Sequence, residues 1–195
     1  MKIAVFIPKS GFTSEQQRSL SSLGNVVYTE TRDALPLEKL LEIAKGANII
    51  AIDPDPFGGF EKARPLVTKI IDSLSGLNGV CLSTTSFGWA DLDYCKKRGL
   101  PVSNIPGYSR ESVAEHALAL LLCLAKRIIV LDRKTRQGKY KLEMGFELKG
   151  KTLGIIGLGS IGSRVAELGQ GIGMKVIAYN SSPKTQKGVE IKSLD

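Results

Sequence analysis

The stretch TLGIIGLGSIGSRVAELGQGIGMKVIAYNSS, residues 152–182, decides how the second half of this chain folds. It contains an apolar run, a glycine-rich turn, a helical pattern and a second apolar run, which predicts a strand–turn–helix–strand unit. Gly157 permits a tight turn, Gly159 lets backbone approach a pyrophosphate, and Gly162 lets the helix pack closely against the strand. The helix start favours an anion, because free N–H groups and the positive dipole end meet there. The stretch therefore predicts a dinucleotide-binding turn, with a merely structural glycine turn as the alternative.

The end of the second strand in such a unit selects the cofactor. An Asp or Glu about 20 residues beyond the glycines accepts hydrogen bonds from the adenosine ribose of NAD. Here Asn180 and Ser181 stand at that point, followed by Ser182 and Lys184, with no carboxylate to repel a 2′-phosphate. This favours NADP, but without an arginine both NAD and NADP stay open. The predicted cofactor-binding residues in this region are Gly157, Leu158, Gly159, Ser160, Ile161, Gly162, Asn180 and Ser181.

The first hundred residues alternate short apolar runs with helical patterns. The runs KIAVFIP, NVVYTE, NIIAID, GVCLST and PVSNIP are predicted strands, and amphipathic or partly helical segments lie between them. Strands alternating with helices at this spacing predict an α/β domain with a parallel sheet covered on both faces. We place its end near NIPGY, residues 104–108.

From Ser109 the pattern becomes that of one long helix, SRESVAEHALALLLCLAKRIIVLDRKTRQG. Its apolar residues are so dense that more than one face must be buried. A long helix between two α/β segments suits both a hinge and a dimer surface. We therefore expect a homodimer formed through helix 109–131.

Composition excludes several classes of protein. Three cysteines, Cys81, Cys95 and Cys123, lie in no CxxC or Cys/His spacing, so we expect buried reduced thiols rather than metal ligands.

No targeting segment is visible, and the run ALALLLCLA falls well short of the roughly 18 residues that span a bilayer. A cytoplasmic protein without a membrane partner is expected. The net charge of +8 includes the basic segment 126–141, which lacks a nucleic-acid module and reads as a solvated helix end and loop.

Three segments carry a resemblance to a known family. They are DLDYCKKRGLPVSNIPGYSRESVAEHALALLLCLAKRI (91–128), LKGKTLGIIGLGSIGSRVA (148–166) and GMKVIAYN (173–180). The chain resembles the D-isomer-specific 2-hydroxyacid dehydrogenases, which include phosphoglycerate, glyoxylate, lactate and formate dehydrogenases. The resemblance implies a flavodoxin-like substrate domain at residues 1–104. It further implies the first part of a Rossmann dinucleotide-binding domain at 105–195, and NAD(P)-dependent oxidation of a 2-hydroxy acid.

The same resemblance implies that a loop before the DLD helix holds the substrate carboxylate through backbone amides. Here that loop is TTSFGWADLD, in which Ser86 and Phe87 would bind substrate and Thr85 would contact the nicotinamide cofactor. The family usually has glycine where Ser86 stands, so the substrate is left open. A purely structural loop is the alternative.

The family's catalytic Arg, Glu and His lie further along the chain than residue 195, so no catalytic residue is assigned here. His116 matches a family position that is not the catalytic one, and we expect it to be structural. The resemblance therefore implies an N-terminal portion of a dehydrogenase, with only two strands of the second sheet and an open edge on the glycine strand. The alternatives are a non-catalytic dinucleotide-binding and dimerisation module, or one half of a split dehydrogenase completed by another chain.

Overall fold

The computed structural model describes residues 1–194 and shows two compact units, the first Met1–Pro106 and the second from Gly107 onward. Both units are α/β structures built on parallel sheets, as predicted. The first unit has five strands in the order β2-β1-β3-β4-β5, which is the flavodoxin-like doubly wound order. All five predicted strands form. Their bounds are β1 Lys2–Pro8, β2 Asn25–Thr29, β3 Ile49–Ile52, β4 Gly79–Leu82 and β5 Val102–Ser103.

The helices of the first unit connect these strands. Thr13 caps the first helix in a reciprocal capping box: the Gln16 N–H donates to Thr13 Oγ1 at 3.3 Å, and the Thr13 N–H donates to Gln16 Oε1 at 2.8 Å. The second and third helices cover one face of the sheet and bury its apolar side chains, among them Ile50 and Val80. The helices are α1 Ser14–Leu23, α2 Leu37–Ala44, α3 Phe60–Asp72 and α4 Leu92–Lys97.

The expectation that all three cysteines are buried is wrong for Cys81. Cys95 is buried and Cys123 is half-buried, but Cys81 is exposed. Side chains alternate between the two faces of a strand, so Cys81 lies opposite Val80 and Leu82, which face the buried side under α2 and α3. A period of two in the sequence says which side chains share a face, but not which face is covered.

The second unit contains a three-stranded parallel sheet in the order β6-β7-β8. The expectation of only two strands is wrong, because Val189–Ile191 forms a third strand whose Val189 lies in register with Val176. This strand is short and interrupted by Glu190, so its pattern is weak. The predicted open edge of the glycine strand is confirmed within the described residues, since β6 is at the end of the sheet and Ile156 is 79% exposed. The strands are β6 Thr152–Ile156, β7 Lys175–Tyr179 and β8 Val189–Ile191, and the helix between β6 and β7 is α7 Ser160–Gly171.

The predicted single long helix is two helices, α5 Arg110–Ala125 and α6 Ile128–Arg136. Arg127 separates them in a left-handed conformation with φ of 57°. A later extended segment holds this break in place: the Phe146 N–H donates to the Ala125 carbonyl at 2.9 Å, and Lys126 Nζ donates to the Phe146 carbonyl at 3.1 Å. Helical periodicity continues through the break, so the pattern alone did not reveal it.

The extended segment is also held by charge. The Glu143 carboxylate pairs with Lys134 and lies 2.7 Å from Arg127 Nη2. The hydrogen bond from Lys134 and the charge of Arg127 lower the pKa of Glu143 below its usual value.

Among the described residues, no helix combines the length and apolar character needed to cross a membrane.

Candidate functional site

The glycine turn lies between the end of β6 and the start of α7. Gly157 has φ of 97°, a conformation that side chains rarely adopt, and its N–H donates to the Tyr179 carbonyl at 2.8 Å. This bond ties the turn to the end of β7. The Leu158 side chain is fully buried in the core of the second unit, which anchors the turn.

Gly159 and Gly162 are glycines for opposite reasons. A Cβ at Gly162 would lie 2.0 Å from the Gly157 carbonyl oxygen and 3.3 Å from Ile155 Cγ2, so only glycine lets the helix approach the turn. A Cβ at Gly159 would meet no protein atom within 4 Å and would project into open space. The space above Gly159 is therefore left for something other than this unit's own atoms.

The first turn of α7 presents free hydrogen-bond donors. The backbone N–H groups of residues 159–162 donate to no acceptor among the described residues. Gly159 and Ser160 are exposed, and Ile161 is 38% exposed. Four unpaired donors at the positive end of a twelve-residue helix form a site for an anionic group such as a pyrophosphate. The residues present fit a dinucleotide.

Asn180 connects the turn to the end of β7. Its Oδ1 accepts from the Leu158 N–H at 2.9 Å, and its Nδ2 donates to the Ser182 carbonyl at 2.9 Å and to Ser182 Oγ at 3.0 Å. The Asn180 side chain thus orders both the glycine turn and the segment that follows. Ser181 and Lys184 remain exposed. The sequence predicted Asn180 at the cofactor-selecting position but not this structural link.

The second group of predicted residues lies in the first unit, on the loop between β4 and α4. Thr85, Ser86 and Phe87 are all exposed, Phe87 to 52%. Their backbone N–H groups donate to no acceptor among the described residues. The loop therefore offers three adjacent donors, an arrangement suited to a carboxylate.

Sequence reasoning missed the side chains that hold this loop. Trp89 Nε1 donates to Thr84 Oγ1 and to the Ser86 carbonyl, each at 3.0 Å, and Asn104 Nδ2 donates to the Thr85 carbonyl at 2.8 Å. Asp91 caps α4 and pairs with Arg64 at 3.1 Å. The Tyr94 N–H and the Arg64 guanidinium lower the pKa of Asp91. Only the Asp91 cap had a sequence signal, because Asp is a favoured residue before a helix.

His116 is the only histidine of the sequence. His116 lies on α5, is exposed and makes no hydrogen bond to a described residue, so the expectation that it helps to seat the helix finds no support. No group of three metal-ligating side chains occurs within residues 1–194.

Known proteins share both the sequence and the fold of this chain. Residues 118–195 match the family described as D-isomer specific 2-hydroxyacid dehydrogenase, NAD binding domain. The whole chain is 32% identical over 199 residues to the D-lactate dehydrogenase of Escherichia coli, of which it spans 58%. It is also 33% identical over 168 residues to the hydroxypyruvate reductase of Thermotoga maritima, a match that covers 85% of this chain and 52% of that protein. The chain belongs to the D-isomer specific 2-hydroxyacid dehydrogenase family.

Solved structures of a D-lactate dehydrogenase and of an imino acid reductase superpose on this chain. The D-lactate dehydrogenase of Aquifex aeolicus, solved with NAD and lactic acid, matches all of it with a TM-score of 0.78 and 30% identity, over 56% of that protein. An acyclic imino acid reductase solved with NADPH and D-Arg matches 99% of the chain with a TM-score of 0.78 and 27% identity, over 60% of that protein. The chain thus spans little more than half the length of these relatives. The cofactor class of this 2-hydroxyacid dehydrogenase chain is a nicotinamide dinucleotide.

Proposed function

We propose that this chain is the substrate-loop and cofactor-turn portion of an NAD(P)-dependent oxidoreductase that interconverts a 2-hydroxy acid and its 2-oxo acid. The observation that carries the proposal is the pair of donor sets. Residues 159–162 present unpaired N–H groups beneath open space, and residues 85–87 present three more on a separate loop. One set suits a pyrophosphate, and the other suits a substrate carboxylate.

The chemistry divides between cofactor and chain. A bound nicotinamide dinucleotide supplies or accepts the hydride, as its ring does in dehydrogenases generally. The donors of residues 159–162 hold its pyrophosphate, and Ser86 and Phe87 orient the substrate carboxylate. Thr85 of the same loop would contribute to cofactor binding. We assign proton transfer to no residue of this chain.

Binding and turnover test this division separately. We expect saturable binding of NADPH or NADH to residues 1–195, measured through the enhanced fluorescence of the reduced nicotinamide. We expect no oxidation of either cofactor when glyoxylate, pyruvate or hydroxypyruvate is added. Absence of dinucleotide binding would refute the proposal, and turnover by this chain alone would refute the assignment of proton transfer to groups outside it.

NADP is the proposed preferred cofactor. Within the segment 180–187 Lys184 and Lys187 are the charged residues, and no carboxylate is present to repel a 2′-phosphate. Asn180 is neutral, and its amide orients Ser182. Ser181 and Lys184 follow Asn180 closely in the sequence, and both are exposed. The local charge therefore favours the dinucleotide that carries the extra phosphate.

Replacing Asn180 by Asp is expected to shift this preference towards NADH. The new carboxylate keeps the acceptor for the Leu158 N–H, loses the donor to Ser182 and adds a negative charge where the 2′-phosphate would bind. The ratio of NADPH to NADH affinity should fall about tenfold or more, which corresponds to about 1.4 kcal/mol. Fluorescence titrations with both cofactors measure the ratio. Asn78→Asp adds the same charge at an exposed position of the first unit and should leave the ratio unchanged; an unchanged ratio in Asn180→Asp would contradict the placement.

Homodimerisation through helix 109–131, now α5 and the start of α6, is proposed on the exposure of its apolar side chains. Leu124 is 76% exposed and Leu120 is 53% exposed, while α5 buries only Ala114 and Ala125. A row of large apolar side chains is costly to leave in water, and a second copy would cover it. Sedimentation velocity should give twice the chain mass of 21.0 kDa, and a monomer at all concentrations would exclude the dimer.

A further inference from the structure

Three consecutive carbonyl groups of the loop between β4 and α4 are each tied down. The Thr84 carbonyl accepts from the Ile105 N–H at 3.3 Å, and the Thr85 carbonyl accepts from Asn104 Nδ2 at 2.8 Å. The Ser86 carbonyl accepts from Trp89 Nε1 at 3.0 Å and from Thr84 Oγ1 at 2.7 Å. Each of these partners belongs to the first unit.

These bonds determine where the loop's N–H groups point. In a planar trans peptide the carbonyl of one residue and the N–H of the next point in opposite directions. The described residues contain no cis peptide. Fixing the carbonyls of residues 84–86 therefore turns the N–H groups of residues 85–87 away from their partners. These are the same three N–H groups that have no acceptor among the described residues.

Trp89 is anchored in the interior of the first unit. It is only 5% exposed, and its ring packs edge-on against Phe60 with the ring centroids 6.1 Å apart. Its single N–H donor is shared between Thr84 Oγ1 and the Ser86 carbonyl, each at 3.0 Å. Thr84 is also nearly buried, at 9% exposure. The peptide between Ser86 and Phe87 is thus held from inside the unit, while Ser86 and Phe87 themselves are exposed.

We infer that Trp89 is a positioning residue for substrate: through Thr84 Oγ1 and the Ser86 carbonyl it holds the N–H groups of Ser86 and Phe87 in the orientation that receives a carboxylate. The inference rests on the proposed function, because it takes the loop as the carboxylate site. It adds that the site is organised before the ligand arrives. Pre-organised donors bind an anion more tightly, since no peptide must rotate on binding.

The experiment is a titration of the full chain with oxalate, followed in amide ¹H–¹⁵N spectra. Trp89 is the only tryptophan, so its indole N–H signal is unambiguous. Wild-type protein should show saturable shifts of the Thr85, Ser86 and Phe87 amides. Trp89→Phe keeps an aromatic ring but removes the donor, and Thr84→Val keeps the side-chain shape but removes the hydroxyl. Each variant should bind oxalate about fivefold or more weakly, the expected effect of one lost hydrogen bond to a positioned carbonyl.

Two controls separate positioning from general stability. Tyr94→Phe removes a hydroxyl that bonds Asp72 in the same unit, away from the loop carbonyls, and should leave oxalate binding unchanged. Denaturant unfolding of all three variants should show that each is folded, so that weaker oxalate binding does not reflect loss of the fold. If Trp89→Phe does not fold, Thr84→Val alone decides the question.

The outcomes distinguish this inference from the proposed function. If the wild-type amides of residues 85–87 do not respond to oxalate, the loop is not a carboxylate site and both fail. If the wild type responds and Trp89→Phe and Thr84→Val respond with the same affinity, only the positioning role fails. Weakened binding in both variants, with Tyr94→Phe unaffected, supports it.

Discussion

Gly162→Ala is expected to disrupt the second unit and to abolish dinucleotide binding. The added Cβ would lie 2.0 Å from the Gly157 carbonyl oxygen and 3.1 Å from the Gly157 carbonyl carbon. Both are backbone atoms of the turn itself, so the clash is relieved only if the turn or the start of α7 moves. We expect a loss of about 3 kcal/mol or more in the free energy of unfolding, the range of severe overpacking. Denaturant unfolding and NADPH titration measure the two effects.

Gly171→Ala is the matched control for this prediction. It is the same substitution in the same helix, but its Cβ would meet no atom within 4 Å. Alanine is the better helix former by about 0.5 to 1 kcal/mol, so this variant should be as stable as the wild type or slightly more so. If Gly162→Ala and Gly171→Ala unfold at the same denaturant concentration, the described packing of the turn against the helix is contradicted.

Gly159→Ala is expected to have the opposite profile, with the fold retained and the cofactor lost. The residue has φ of −76° and ψ of −163°, an extended conformation that alanine adopts without strain. Its Cβ meets no protein atom within 4 Å, so stability should change by less than about 0.5 kcal/mol. The methyl group would occupy the space where a pyrophosphate approaches the backbone.

The affinity for NADPH should therefore fall about a hundredfold in Gly159→Ala, which corresponds to about 2.7 kcal/mol. Fluorescence titration measures the affinity, and thermal unfolding without ligand confirms that the fold is intact. Gly154→Ala on β6 is the control, since its Cβ would make an ordinary contact at 4.0 Å with Ile177 Cγ1, away from the turn. Unchanged NADPH affinity in Gly159→Ala would show that the open space is not the pyrophosphate site.

The two glycine variants together separate the local fold from the ligand. Both residues belong to one motif, and the motif alone does not say which glycine serves which purpose in this chain. The surroundings of each Cβ position answer this: Gly162 faces the turn's own backbone, and Gly159 faces open space. If Gly162→Ala is unstable and Gly159→Ala is stable but does not bind NADPH, the turn both packs against the helix and binds the dinucleotide.

The sequence predicted correctly those elements whose formation depends on short stretches of the chain. Alternating apolar runs and helical segments located five strands, and the spacing of Gly157, Gly159 and Gly162 located the turn. The family segments located the loop at residues 85–87, whose binding role is still a proposal. These features depend on backbone conformation and side-chain type within short stretches, which the sequence states directly.

The predictions from the sequence were wrong where contacts between residues far apart in the chain determine the structure. β8 forms because a neighbouring strand offers Val189 a partner, although its own pattern is weak. The helix breaks at Arg127 because residues 143–146 bind its end through Glu143 and the Phe146 N–H. Cys81 is exposed because the helices α2 and α3 lie on the other face of its sheet. In each case the partner is far along the chain.

The sequence by itself determined that this chain contains a parallel α/β unit followed by a glycine turn of the 2-hydroxyacid dehydrogenase type. Only the tertiary structure decided what holds the loop of residues 84–87. Trp89 and Asn104 both follow that loop in the chain, 15 residues apart, and no periodic pattern connects them. Hydrogen bonds to carbonyl groups depend on distance and angle in space, and these become defined only when β4, β5 and α3 are packed together.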